Sequence, residues 1–176
     1  LIRSVSQKMK TRIGSEFARQ NKRVLFLGES WYGDFQAGDE VRYIQSWIER
    51  KLPGRSDRFF SRIYNACNLK SAADSTNQER GAFWAKVAFT NLVSESVGSA
   101  ARIRPADAHW ARGVRRLRLI LPRIGCDRVL MLGFDTTFYA EPVIKAQGLL
   151  SVPCPHPSGY GVTKATLGAK WIEVLK

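Results

Sequence analysis

Four short apolar runs punctuate the chain, and each ends in a polar or glycine-containing turn. They are Val24-Leu25-Phe26-Leu27, Val87-Ala88-Phe89-Thr90, Val129-Leu130-Met131-Leu132 and a stretch around residues 149–152. Runs this short and this continuously apolar read as strands buried on both faces, the habit of a parallel sheet. Between them the pattern changes to a helical period. Val41, Ile44, Ile48 and Leu52 form one stripe behind Asp39 and Glu40, whose charges suit a helix start, and Pro53-Gly54 supplies the stop. Phe59-Phe60 and Ile63-Tyr64 predict a short helix within 55–68, whereas 69–80 is polar and reads as a loop or a broken helix. Pro105 fits a first helical position; Trp110, Val114, Leu117 and Leu121 share the face that follows, and Gly125 ends it. Asp135 or Thr136 caps the next helix and Gly148 closes it. Leu167, Trp171 and Val174 or Leu175 mark a last helix, and residues 1–22 read as a basic helix or arm.

This β-α-β-α alternation predicts a single α/β domain over residues 1–176, without internal repeats. The expected architecture is a three-layer α/β/α sandwich around a four-stranded parallel sheet in the order 2-1-3-4. Ligands of such sheets sit outside the carboxyl ends of the strands. Glu29 follows the first run, Asn91 the second, and His156 the fourth. A carboxylate, an amide and an imidazole are therefore expected on one rim although they are far apart in sequence.

Charge narrows the class of partner. Lys and Arg number 28 against 15 acids, a net +13, which favours a polyanion through attraction to phosphates and counterion release. Residues 1–23 hold seven basic residues against Glu16, and 102–123 hold seven arginines, Arg115 and Arg116 among them, against Asp107. Cys67, Cys126 and Cys154 are odd in number and lack a C-x-x-C pair, which argues against a disulfide framework, a zinc ribbon or a cysteine-held cluster. With only His109 and His156, a multi-histidine metal centre is excluded. No apolar run approaches a membrane span and nothing reads as a signal peptide, so a cytoplasmic, monomeric protein without metal or cofactor is expected.

Several generic motifs are absent. Gly28-Glu29-Ser30-Trp31-Tyr32 lacks the second glycine of a nucleophile elbow, and there is no P-loop lysine pattern or dinucleotide fingerprint after a strand. The motifs that remain resemble, in order, those of the uracil-DNA glycosylase superfamily. Its first motif follows strand one as G-Q-D-P-Y-H in one branch and G-E-x-P-G in others. Here it reads Gly28-Glu29-Ser30-Trp31-Tyr32-Gly33. Thr90-Asn91 is similar to the T-N pair that ends the second strand of the G-E branches, and His156-Pro157-Ser158 is similar to the closing H-P-S motif.

The resemblance implies roles. Glu29 would stabilise the sugar cation or position water, and His156 would donate to a carbonyl of the departing base. Asn91 would donate to uracil O4 and accept from N3–H, a pattern that cytosine reverses. Tyr32 would exclude the thymine methyl, and Phe59 or Phe60 would stack on the base. Tyr160, just past the H-P-S motif, would wedge into DNA, with Ser158, Arg115 and Arg116 as further DNA contacts. The implied activity is a monofunctional glycosylase acting on single- or double-stranded DNA. The sequence also departs from the pattern. Ser30 replaces the water-activating aspartate, Trp31 a proline and Gly33 a histidine, with Asp34 a further candidate carboxylate; the cluster cysteines of the thermophilic branch are missing. These departures motivate the alternative of a nucleic-acid-binding protein that keeps the fold without the activity.

Overall fold

In a computed structural model, residues 10–32, 40–50, 58–68, 70–98 and 103–176 are described. The central strand is β2 (Val24–Gly28), every residue of which is buried. It pairs in parallel with β3 (Ala88–Asn91) on one side and β4 (Arg128–Leu132) on the other, and β5 (Leu150–Cys154) continues in parallel beyond β4. The expectation of a four-stranded, all-parallel sheet needs correcting. A fifth strand, β1 (Arg12–Ile13), adds antiparallel to the β3 edge, so the sheet is mixed and its order is β1-β3-β2-β4-β5. Part of the region read as a basic helix or arm is thus an edge strand. Two residues carry no alternation to read, and their pairing comes from tertiary contacts: Arg12 stacks its guanidinium over Trp84, 5.6 Å from the ring centroid.

Alternation along β2 explains the layers. Val24 and Phe26 point into a core built with α1 (Glu40–Ile48), α2 (Arg58–Asn68), α3 (Asn77–Lys86) and α6 (Lys164–Val174). Leu25 and Leu27 point into a second core with α4 (Asp107–Ile124) and α5 (Phe134–Ala146). Helices therefore cover both faces, which is why β2 must be apolar throughout.

The polar 69–80 stretch hides the start of α3. Thr76 accepts from the Glu79 N–H at 3.1 Å while the Glu79 carboxylate accepts from the Thr76 N–H at 2.8 Å, a reciprocal cap. Removing such a cap costs about 1 kcal/mol. Arg80 obscured the apolar period of this helix. It is buried, and its guanidinium donates to the Ile48 carbonyl at 2.7 and 3.0 Å. Pro105 lies before the helix: Ala106 is the N-cap of α4, where the His109 Nδ1 accepts from its N–H at 3.1 Å. Likewise α5 starts at once after Gly133, so Asp135 and Thr136 lie within its first turn and do not cap it. Gly125 and Gly148 adopt left-handed backbone at the ends of these two helices, as their positions require. The expected Pro53-Gly54 stop and Asp34 lie outside the described residues.

Candidate active site

The strand order reverses between β2 and β4, and in open α/β sheets ligands bind at such a point, outside the carboxyl ends of the strands. Glu29 leaves β2 at this point, and Asp135 lies in the first turn of α5, just past β4. Glu29 is only 6% exposed. Burial pushes its pKa up, opposed by Arg104, while the nearby Asp135 charge raises it further. The Arg104 Nη1 donates to Glu29 Oε2 at 3.1 Å and Oε1 at 3.3 Å, and to Asp135 Oδ2 at 2.9 Å. One guanidinium nitrogen thus neutralises a buried carboxylate and ties it to a second, while the arginine side chain itself remains 69% exposed. Sequence reading missed this arrangement, counting Arg104 only in a basic cluster and Asp135 only as a cap.

Asn91 ends β3 in register with Gly28. A Cβ on Gly28 would lie 2.1 Å from Asn91 Oδ1, so the amide occupies the space that only glycine leaves open. The ladder runs on past the strand, with the Leu92 N–H donating to the Gly28 carbonyl at 2.8 Å and the Val93 N–H to that of Glu29 at 2.9 Å. Arg116 braces this strand end. Its guanidinium donates to the Asn91 carbonyl at 3.0 Å, the Thr90 hydroxyl at 2.9 Å and the Lys10 carbonyl at 2.8 Å. Burial lowers its pKa to about 10. Arg116 is therefore spent inside the fold, contrary to its expected DNA contact, whereas Arg115, one residue away, is exposed. Arg112 pairs with Glu95 at 2.7 Å.

His156 follows β5 in a turn held from two sides. Arg62 of α2 donates to the Pro157 carbonyl at 2.6 Å, and the Ser158 N–H donates to His156 Nδ1 at 3.2 Å. With Nδ1 accepting, the neutral imidazole carries its proton on Nε2. The ring lies beside Gly133, where a Cβ would stand an ordinary 3.6 Å from His156 Cδ2; it is the φ of +119° that calls for glycine there. Phe59 lies beside it, ring centroids 5.3 Å apart, and is half-buried. Phe60 is fully buried among Trp31, Tyr43, Trp47, Trp84 and Phe89, with no face left for a base. Of the two stacking candidates, then, only Phe59 is at the rim.

Trp31 fills the place of the motif's proline by packing on Tyr43, Phe60 and Phe89, and its indole N–H donates to Glu40 at 3.4 Å. The Ser30 hydroxyl is buried without a hydrogen-bond partner among the described residues. Tyr32 is exposed, as are Ser158 and Tyr160, the latter completely. No group of three or more His, Cys, Asp or Glu among the described residues could hold a metal ion. No helix among them is long and apolar enough to cross a membrane.

The rim thus gathers a buried carboxylate bridged by arginine, an amide seated on a glycine, and an imidazole beside an aromatic ring. Compared with known proteins, the chain matches no family model and no curated protein.

Proposed function

We propose that the protein is a DNA glycosylase that flips uracil or a related deaminated base and hydrolyses its N-glycosidic bond. One observation carries this reading: Glu29, Asn91 and His156 stand at the carboxyl ends of three strands of one sheet, with Phe59 against the imidazole. The order of their motifs resembles the uracil-DNA glycosylase superfamily, and the +13 charge suits a DNA partner.

Each group has a task in that reaction. The base leaves the stack and lies against Phe59. The Asn91 amide pairs with O4 and N3–H, and the packing on Gly28 limits how it turns. As the C1′–N bond breaks, its electron pair departs with the base, and His156 Nε2–H donates to the carbonyl oxygen where that charge collects. A neutral imidazole serves here, since it keeps its proton and stabilises by hydrogen bonding. Glu29 stabilises the cationic sugar and orients water onto C1′, taking up the proton that the water sheds.

One observation favours the second reading, a binding protein without base release: Arg104 already occupies Glu29. The two readings part in a release assay over single- and double-stranded oligonucleotides carrying uracil, hypoxanthine or other modified bases. Free base from any of them supports the glycosylase; tight binding with no release supports the alternative.

A further inference from the structure

Among the described residues, the three most exposed large hydrophobic side chains are all aromatic: Tyr160, Phe134 and Phe138. All three follow the carboxyl ends of the neighbouring strands β4 and β5. We propose that the Phe134–Phe138 face of α5 is a stacking platform for unpaired bases, so that the nucleic acid bound beside the site is single-stranded. The position of the platform rests on the glycosylase reading; the binding itself does not.

Phe134 is 82% exposed and Phe138 66%. Four residues apart, they project from one helix face about 6 Å apart along the axis. Phe138 is held in place: Tyr139 packs edge-on to it at 5.1 Å and itself stacks on Trp110 at 4.6 Å, with planes 11° apart. A ring already braced loses little freedom on binding, which favours affinity. The platform adjoins the rim, since α5 begins directly after Gly133, against which His156 rests, and Asp135 between the two phenylalanines is held by Arg104.

The chemistry of the rings selects the occupant. Phenylalanine has no hydrogen-bonding group to read a groove edge or a phosphate; it offers a π-face. In a duplex the base faces are covered by their neighbours, whereas every unpaired base has one open, and stacking on an aromatic is tolerant of sequence. The backbone charge of that strand is matched by the +13 chain, including exposed Arg115 on α4, the helix packed beside α5. A second copy of this chain would bring the same positive charge and be repelled.

The test is the double variant Phe134→Ala/Phe138→Ala, with Phe134→Tyr/Phe138→Tyr as the conservative control. Affinity for uracil-free oligothymidylate and for a duplex of equal length is measured over a range of salt. Single-strand binding should weaken about fivefold or more for each ring removed. Duplex binding, the melting temperature and the salt slope should stay as they were, because no phosphate contact is lost, and the tyrosine variant should retain affinity. Unchanged single-strand affinity, equal loss on duplex, or self-association of the wild type that the alanines abolish would overturn the proposal. Ring-dependent strand binding without base release would sink the glycosylase reading and leave the platform standing. Base release with no ring dependence would do the reverse.

Discussion

Gly28→Ala isolates the seat of the Asn91 amide, proposed to read the base. Gly28 does not adopt left-handed backbone, so alanine meets no conformational objection there. The sole severe conflict is the 2.1 Å approach of the new Cβ to Asn91 Oδ1; Phe89 stands at an ordinary 3.4 Å. To reach that same 3.4 Å the amide oxygen must withdraw by about 1.3 Å. Forcing a methyl into a packed site costs about 1–3 kcal/mol. For a chain of this length that lowers the melting temperature by about 2–12 °C. The functional cost is separate, because a misplacement near 1 Å typically loses about 100-fold in rate. Single-turnover base release, read beside thermal unfolding, should therefore show about a hundredfold loss in a protein that still folds. Gly28→Ala should add little to Asn91→Ala, since both remove the same amide contact. If Gly28→Ala releases base at the wild-type rate while its melting temperature falls, Asn91 does not read the base.

Arg104→Ala leaves Glu29 buried beside Asp135 without its cation, so its pKa, already raised by burial, should climb further and the acid limb of the pH–rate profile should move to higher pH. An acid whose folded pKa exceeds its unfolded one costs stability as pH rises from the unfolded towards the folded value, so this variant should lose stability over that window more than the wild type does, as pH-dependent melting would show. Arg116→Ala should destabilise by about 3 kcal/mol, the upper part of the range for stranding buried acceptors, with the salt slope of DNA binding intact. Arg115→Ala should instead reduce the salt slope of single-strand binding by about 0.7 at unchanged stability, the loss of one phosphate contact. Tyr160→Ala should slow release from paired uracil more than from unpaired uracil, because a wedge offsets unstacking; equal losses on both substrates would remove Tyr160 from the mechanism.

The parallel strands β2 and β4 were legible because burial on both faces demands an unbroken apolar run, whereas β5, an edge strand with Leu150 and Pro153 exposed, showed itself by the short run before Cys154-Pro155-His156. Helix α3 was not legible, because Arg80 satisfies its charge on carbonyls inside the core and so looks like a solvent residue; the Thr76–Glu79 cap was the overlooked signal. Strand β1 is two residues long and exists only through its partner β3. The placement of Glu29, Asn91 and His156 on one rim was legible because each stands at or just past the carboxyl end of a parallel strand. The Arg104 bridge joins residues 75 and 31 positions away, a pairing that no local pattern encodes. Neighbours also diverge by helical phase. Phe60 turns into the core while Phe59 reaches His156, and Arg116 turns onto β3 while Arg115 faces solvent.

The central claim is that Glu29 and His156 act on the breaking bond and not merely on DNA affinity. Its most direct test is single-turnover release of free base from a uracil-containing strand by the wild type, Glu29→Gln and His156→Ala, with the binding of each to the same strand measured in parallel. The wild type should release base, and each variant should lose about 100- to 1,000-fold in rate, the effect of removing about 2.7–4 kcal/mol of transition-state stabilisation, while binding holds. No release by the wild type, or undiminished release by both variants, would contradict the account.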